Sequence, residues 1–202
     1  MDQPWQGRLL GVYYDTHPHW VVDRGCYAVT LRCHGSLPKS VQAQLREIGE
    51  SLREINPASE ETRAYHRRHF SILEHALDHA TGFRPFIEAK AAHAMMDFMQ
   101  NYDYEGLSFD HWMVMPNHLH VVTAPFQCRA VTDFRLAWRR FKSRSARQMN
   151  AVLDREGRFW QMSWYDRWIR DEVEYQKWLH YLLNNPVKAG LRANAGEYPY
   201  HR

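Results

Sequence analysis

The sequence lacks any apolar run close to the roughly 18 residues that a membrane-spanning helix needs. Its first residues, MDQPWQGRLLGVYYD, also lack the charged start and apolar stretch of a secretory signal peptide. Cysteine is scarce, because only Cys26, Cys33 and Cys128 occur, widely spaced and without a CxxC pair. This pattern argues against a disulfide framework or a cysteine zinc site and predicts reduced core residues. We therefore expect a cytoplasmic protein with no membrane partner.

The sequence also lacks a large excess of either positive or negative residues. Lys and Arg number 26 against 23 Asp and Glu, a formal net charge of +3, so net charge alone does not predict a polyanionic partner. No internal repeat or low-complexity segment is present. The 202 residues, 45% of them hydrophobic, suffice for one domain with a full core and are too few for two comfortable ones.

The first half of the chain predicts one strand followed by helices. Residues 27–33, YAVTLRC, alternate and carry β-branched and aromatic side chains, as strands do. Helical spacing of apolar residues runs from Ser40 to about Ile55, and further helices are predicted over 60–79 and 86–100. The last of these should bury one side, formed by Ile87, Ala91, Met95, Phe98 and Met99.

Histidines are frequent in these helices, but no second set of ligands accompanies them. We interpret them as surface or packing residues rather than metal ligands. They are His66, His69, His75, His79 and His93.

A predicted hairpin carries the first candidate site. The apolar stretch LSFDHWMVM is followed by the turn pair Pro116-Asn117 and by HLHVVTAP, which we expect to return as a strand in the middle of a sheet. Alternate side chains of a strand lie on the same face, so His118, His120 and Val122 should share one face. The two imidazoles should therefore converge. Paired imidazoles can hold Mg²⁺, Mn²⁺ or Zn²⁺, although such pairs also occur as ordinary packing or surface residues.

The helix predicted over 131–149 has one aromatic face and cationic flanks. Phe134, Trp138 and Phe141 fall on one face and should pack against the core. Its flanks are cationic and are candidates for contact with a nucleic-acid backbone, the alternative being a solvated charged face. The candidate cations are Arg135, Arg139, Arg140, Lys142, Arg144 and Arg147.

A last helix is predicted from about Asp171 to Asn184, ending before Pro186 because proline disfavours helical geometry in the preceding residue. Tyr181 and Asn185 are four residues apart and therefore share one side of this segment. An amide oxygen at Asn185 could complete a metal site beside the Tyr181 phenol. The alternative is that the two asparagines at this point simply satisfy the end carbonyls of the helix.

Four motifs in order make the sequence recognisable: VMPNHLHVV, FKSRSARQMN, FWQMSWYDRWIRDEVEY and YLLNNPVKAGL. Together they resemble the REP-associated tyrosine transposases, a branch of the HUH endonuclease superfamily related to single-strand insertion-sequence transposases. The resemblance is strong over roughly 107–192 and looser over the YAVTLRCHGSLP strand. It implies an α+β fold with a ferredoxin-like or RRM-like core, in which a central antiparallel sheet is flanked by helices. The long helices at about 39–104 exceed this minimal core, so we predict one domain over 1–202 with a helical insertion there.

The resemblance also assigns roles by position. It implies His118 and His120 as ligands of a divalent metal, Mg²⁺ or Mn²⁺, Tyr181 as the nucleophile, and Asn185 as the third metal contact. Tyr165 and Tyr175 are rival nucleophiles that lack the adjacent Asn-Pro pair. Other matched positions are interpreted as folding and positioning residues. These are Trp160, Gln161, Tyr165, Asp166 and Arg170.

The function implied is a metal-dependent endonuclease and strand transferase that acts on single-stranded, hairpin-forming repeat DNA through a 5′-phosphotyrosine intermediate. The alternative is a domesticated nucleic-acid-binding protein on the same scaffold that does not cut. A zinc hydrolase is a third hypothesis, for which the sequence shows no general base at a convincing spacing. A monomer acting in cis is favoured over a dimer.

Overall fold

The predicted strands and helices occur in the predicted order, together with two unpredicted features: a hairpin near the N-terminus and a strand before the last helix. The computed structural model describes residues 7–15, 18–51, 59–79, 81–104 and 106–202. The described strands are β1 (Leu9–Tyr14), β2 (Pro18–Val22), β3 (Cys26–Arg32), β4 (Phe109–Met115), β5 (His118–Thr123) and β6 (Tyr165–Ile169). The described α-helices are α1 (Lys39–Ser51), α2 (Glu60–His79), α3 (Ala89–Gln100), α4 (Val131–Val152) and α5 (Glu172–Lys188).

Four of the described strands form one antiparallel sheet in the order β4-β5-β3-β6. The predicted strand over 27–33 and the predicted hairpin are confirmed as β3 and as β4 with β5. The hairpin is not wholly central, because β4 lies at the edge and only β5 is interior. Together with the helices that flank the sheet, this is the predicted α+β class with a central antiparallel sheet.

The two faces of the sheet carry different side chains, because successive residues of a strand point to opposite faces. One, the core face, carries Tyr27, Val29 and Leu31 of β3, which share a hydrophobic cluster with the buried side chains of α3 and α4. The other, the site face, carries Ala28, Thr30 and Arg32 of β3 with His118 and His120 of β5. Helix α5 packs against this second face.

The interpretation of α4 is confirmed, because its aromatic residues Phe134, Trp138 and Phe141 are fully buried in the core. The expectation for the buried side of α3 was wrong at one position. Ile87 belongs to a short 3₁₀ turn at Pro85–Ile87 that precedes the helix, and 58% of it is exposed. The predicted continuation of α1 as far as Ile55 lies outside the described residues.

The segment interpreted as an insertion contributes to both faces of the sheet. Buried residues of α1 and α2, among them Leu45, Leu73 and Leu77, form a third apolar cluster with Tyr165 of β6. All three cysteines are buried and unpaired, as predicted. Among the described helices, none combines the length and the apolar character that a membrane span requires.

The N-terminal hairpin of β1 and β2 is attached to the sheet through a buried ion pair. His19 is fully buried, with Nδ1 2.8 Å from Asp166 Oδ1 and Nε2 2.9 Å from Asp15 Oδ1. The imidazole also stacks on Tyr13 with ring centroids 4.4 Å apart. Burial alone would lower the pKa of His19, but the two carboxylates outweigh it and raise the pKa to about 9.

This arrangement predicts a stability that falls with rising pH. Because the folded-state pKa of His19 lies above its ordinary value of 6.5, the stabilisation is complete below pH 6.5 and is lost as pH rises through about 9. We expect the difference in unfolding free energy between the wild type and His19→Gln to shrink by about 3 kcal/mol between pH 6 and pH 9.5. Urea denaturation at both pH values measures it. A difference that does not change with pH would contradict this account of His19.

Candidate metal and nucleophile site

The two histidines of the hairpin meet on the site face of the sheet. The tight turn at Pro116-Asn117 joins β4 to β5, so His118 is the first residue of the returning strand and His120 follows on the same face. Both side chains are buried, at 0% and 4% exposure. Their Nε2 atoms lie 2.9 Å apart. The predicted convergence of the two imidazoles is therefore present in the structure.

Neighbouring side chains fix the orientation of both rings. Asn117 donates its amide to the Leu77 carbonyl at 2.9 Å, which turns its Oδ1 toward His118 Nδ1 at 2.6 Å. That oxygen can only accept, so His118 Nδ1 carries the proton and its Nε2 presents a lone pair. His120 Nδ1 contacts the Thr30 hydroxyl at 2.9 Å. Such partners orient histidine ligands around metal ions.

Helix α5 brings two further groups to the histidines. The helix begins at the N-cap Asp171, whose side chain accepts a hydrogen bond from the Glu174 backbone N–H. Asn185 is fully buried and its Nδ2 lies 3.0 Å from His120 Nε2. The Tyr181 ring lies one turn earlier, with its centroid 5.7 Å from that of His120.

The predicted end of this helix was wrong. Helix α5 does not stop at Asn184 but continues through Pro186 to Lys188. Proline removes one backbone hydrogen bond, yet Asn185 and Pro186 are both buried, so their packing compensates for the lost bond. Asn184 donates to the His180 carbonyl at 2.8 Å within the helix. Asn185, by contrast, faces the histidines rather than capping a helix end.

A carboxylate that the sequence analysis did not single out completes the cluster. Glu74 of α2 is 2% exposed, and its Oε2 lies 3.3 Å from His120 Nε2. The same oxygen accepts a hydrogen bond from the Tyr181 hydroxyl. Glu74, His118 and His120 can each offer one ligand atom, and these atoms all lie within 4.8 Å of one another.

A sequence signal for Glu74 exists in the apolar pattern of α2. Leu73 and Leu77 are buried, and Phe70 packs against the same cluster. Glu74 is four residues from Phe70, so it falls on the apolar side of the helix. A carboxylate at such a position is almost never buried unless it is paired. The many charged and histidine residues of this helix obscured that face.

The charges of the cluster follow from its burial. Burial would raise the pKa of Glu74, but the adjacent His120 and the hydrogen bond from the Tyr181 hydroxyl lower it to about 2, so the carboxylate is ionised. Burial holds the pKa of His118 well below its ordinary value, so this ring is neutral at physiological pH. Burial and the charge of Glu74 both raise the pKa of the Tyr181 phenol above its ordinary value near 10. The phenol is therefore protonated.

These residues fit a divalent cation. A neutral His118 offers the lone pair that metal coordination needs, and Glu74 supplies negative charge. Two buried oxygens of the cluster, Glu74 Oε1 and Asn185 Oδ1, have no hydrogen-bond partner among the described residues. Carboxylate and carbonyl oxygens suit Mg²⁺ and Mn²⁺, and imidazole suits transition metals. The donor set is therefore chemically suited to a divalent cation.

The cations of α4 lie away from this cluster, because α4 packs on the core face. Arg139 and Arg147 are exposed, and Arg135 lies over the Tyr13 ring at 5.2 Å. Arg140 and Arg144 both lie over the ring of Tyr104.

Lys142 has an internal role that distinguishes it from the other α4 cations. Its ammonium donates to the carbonyls of Gln161 and Met162. Burial lowers its pKa to about 8. Lys142 therefore ties the segment before β6 to α4.

The matched positions around β6 have structural partners. Trp160 donates its indole N–H to Ser145 Oγ at 2.8 Å. Tyr165 is 5% exposed and packs on Phe70 with ring centroids 4.6 Å apart, so it is remote from solvent. Asp166 forms the buried ion pair with His19. These contacts agree with folding and positioning roles.

Comparisons of the sequence and of the fold with known proteins each find a REP-associated tyrosine transposase. No family model matches the chain. A REP-associated tyrosine transposase of Escherichia coli (strain K12) is 28% identical over 90 residues, which is 44% of this chain. The match spans 50% of that relative's length.

A solved structure of a REP-associated tyrosine transposase bound to a REP hairpin aligns over 94% of this chain and 81% of its own. The TM-score is 0.52 and the sequence identity is 15%, so this comparison bears on the fold alone. This chain is therefore similar to the REP-associated tyrosine transposases in part of its sequence and in its fold.

Proposed function

We propose that the chain is a metal-dependent single-strand DNA endonuclease and strand transferase that acts at hairpin-forming repeats. The observation that carries the proposal is that partly buried Tyr181 meets the buried side chains of His118, His120, Asn185 and Glu74 in one cluster. A solved relative is bound to a hairpin, which supports hairpin DNA as the substrate.

The chemistry assigns one role to each group. Tyr181 Oη attacks the scissile phosphorus, the bond from phosphorus to the 3′-oxygen breaks, and a 5′-phosphotyrosine forms. The phenol proton passes to Glu74 Oε2, which already accepts its hydrogen bond. The leaving 3′-oxygen takes a proton from solvent. Attack by a 3′-hydroxyl on the phosphotyrosine then rejoins strands without a nucleotide cofactor, because the phosphodiester bond energy is retained.

His118, His120 and Asn185 would hold the divalent ion, with Glu74 beside them. The bound ion would act as a Lewis acid that neutralises charge growing on the scissile phosphate. Tyr181 lies against the histidines of its own chain, which supports a monomer acting in cis.

Incubation of the protein with labelled single-stranded hairpin DNA and Mn²⁺ or Mg²⁺, followed by a denaturing gel, tests the proposal. We expect a protein-linked DNA band that requires metal and disappears in His118→Ala. Binding without any adduct, across several hairpins and both metals, would reject cleavage. It would point to the non-cleaving nucleic-acid-binding protein on the same scaffold.

A zinc hydrolase is favoured by one observation, because Glu74 supplies the carboxylate that such an enzyme needs as a general base. Its reaction would not use the phenol of Tyr181. Hydrolysis that prefers zinc and persists in Tyr181→Phe would support this second function and contradict the first.

The arginines of α4 are proposed to bind the DNA backbone outside the reacting centre. If four of them contact phosphates of a single strand, log K should fall with log salt concentration with a slope of about −3. Replacing Arg135, Arg139, Arg144 and Arg147 together with glutamine should make the measured slope shallower by about 3. Fluorescence anisotropy between 50 and 300 mM salt measures it, and an unchanged slope would remove α4 from the interface.

A further inference from the structure

A small pocket lies beside the candidate site on the same face of the sheet. Its lining includes Thr30, Arg32, Arg46 and Gln161. Thr30 belongs to both places, because its hydroxyl contacts His120 Nδ1 at 2.9 Å. Arg32 is the antiparallel partner of His118 across β3 and β5. Paired residues on neighbouring strands have Cα atoms about 5 Å apart, so the pocket adjoins the histidine cluster.

Arg32 lines this pocket and carries one unsatisfied hydrogen-bond donor. Its Nη1 is buried and has no hydrogen-bond partner among the described residues. Burial lowers the pKa of its guanidinium to about 10, still far above physiological pH, so the group is cationic. A buried charge is normally paired, because leaving water without compensation is unfavourable. The unsatisfied Nη1 donor of Arg32 is therefore free to bind an anion.

The surroundings of Arg32 favour an anion. No carboxylate appears among the pocket-lining residues that the structure describes, whereas Arg46 of α1 adds a second guanidinium. The pocket volume is about 80 Å³, several times the roughly 15 Å³ that one water needs. Guanidinium groups bind phosphate through two parallel hydrogen bonds. Size and charge thus match a phosphate group.

The pocket also adjoins a groove on the cationic side of α4. Gln161 and Trp164 line both this pocket and a larger groove of about 990 Å³ that Arg135 and Arg139 also line. The segment from Gln161 to Trp164 therefore borders both the pocket and the groove.

We propose that the Arg32 pocket binds a backbone phosphate of the DNA strand next to the scissile phosphate. The strand would then pass over the Gln161–Trp164 segment into the groove of α4. This inference rests on the proposed function for its choice of DNA. It adds a binding site whose contacts need neither the metal nor Tyr181.

The test measures anion and DNA binding in EDTA, where no metal-dependent cleavage takes place. Inorganic phosphate should raise the melting temperature of the wild type and should not raise that of Arg32→Met. The dissociation constant for single-stranded DNA should rise about tenfold in Arg32→Met, as expected for losing a charged hydrogen-bond partner. The negative salt slope should become shallower by about 1.

Two further variants make the test decisive. Arg192→Met removes an exposed arginine that does not line the pocket and should change both measurements less than twofold. Arg46→Met changes an exposed position on α1, so it tests the pocket even if the Arg32 variant fails to fold. It should weaken DNA binding by about twofold to threefold, in line with a solvent-screened charge.

An equal response of Arg32→Met and wild type to phosphate would overturn the pocket. Loss of phosphate binding with unchanged DNA affinity would show a free anion as the ligand and would overturn the assignment to DNA. Failure of the wild type to form an adduct with metal would contradict the proposed cleavage but would leave these EDTA measurements intact.

Discussion

Tyr181→Phe is expected to reduce DNA cleavage by at least about a thousandfold while changing DNA affinity less than twofold. The phenol oxygen is the atom that would bond to phosphorus, and phenylalanine keeps the ring that packs near Phe70 and Trp178. Single-turnover cleavage of labelled hairpin DNA with excess protein measures the rate. Anisotropy in EDTA measures the binding.

Tyr175→Phe is the matched control for that change. Tyr175 is on the same helix, but its ring lies beside His111 rather than beside the paired histidines. Its loss should leave the cleavage rate within about twofold. Because the Tyr181 hydroxyl also satisfies buried Glu74, the unfolding free energy of Tyr181→Phe should be measured alongside. Cleavage by a folded Tyr181→Phe protein at near the wild-type rate would rule out this tyrosine as the nucleophile.

Glu74→Gln is expected to slow cleavage by a factor of about 10² to 10⁴, the usual contribution of a proton acceptor. Glutamine has nearly the same shape but cannot take the proton of Tyr181. Metal affinity should fall less, by about tenfold, since His118, His120 and Asn185 remain. Single-turnover cleavage and calorimetric titration with Mn²⁺ separate these effects.

Glu60→Gln controls for the removal of a carboxylate from the same helix. Glu60 is exposed and pairs with Arg67 at 3.1 Å, so its loss should not affect the cleavage rate. If Glu74→Gln cleaved DNA as fast as wild type, proton transfer to Glu74 would be excluded. If it bound no metal at all, Glu74 would be an essential ligand and the cluster would need to be reinterpreted.

The sequence alone predicts the parts of the cluster that depend on local geometry. Alternation along β5 places His118 and His120 on one face, and helical spacing places Tyr181 and Asn185 on one side of α5. Their meeting depends on how α5 packs on the sheet, which local periodicity does not describe. The resemblance to a family supplied that link, and the geometry agrees with it.

Other features escaped prediction for physical reasons. Glu74 reaches the histidines only because α2 packs on the site face, a long-range contact with no local signature. Helix α5 continues through Pro186 because buried packing outweighs one lost backbone bond. Ile87 matches the helical period but lies in a 3₁₀ turn before α3, where the spacing rule does not apply.

The measurement that tests the central claim most directly is peptide mapping of the protein–DNA adduct by mass spectrometry. After reaction with hairpin DNA and Mn²⁺, protease digestion should leave the nucleotide on the peptide that contains Tyr181. Attachment at Tyr165 or Tyr175, or cleavage of the strand without any attached nucleotide, would contradict the account.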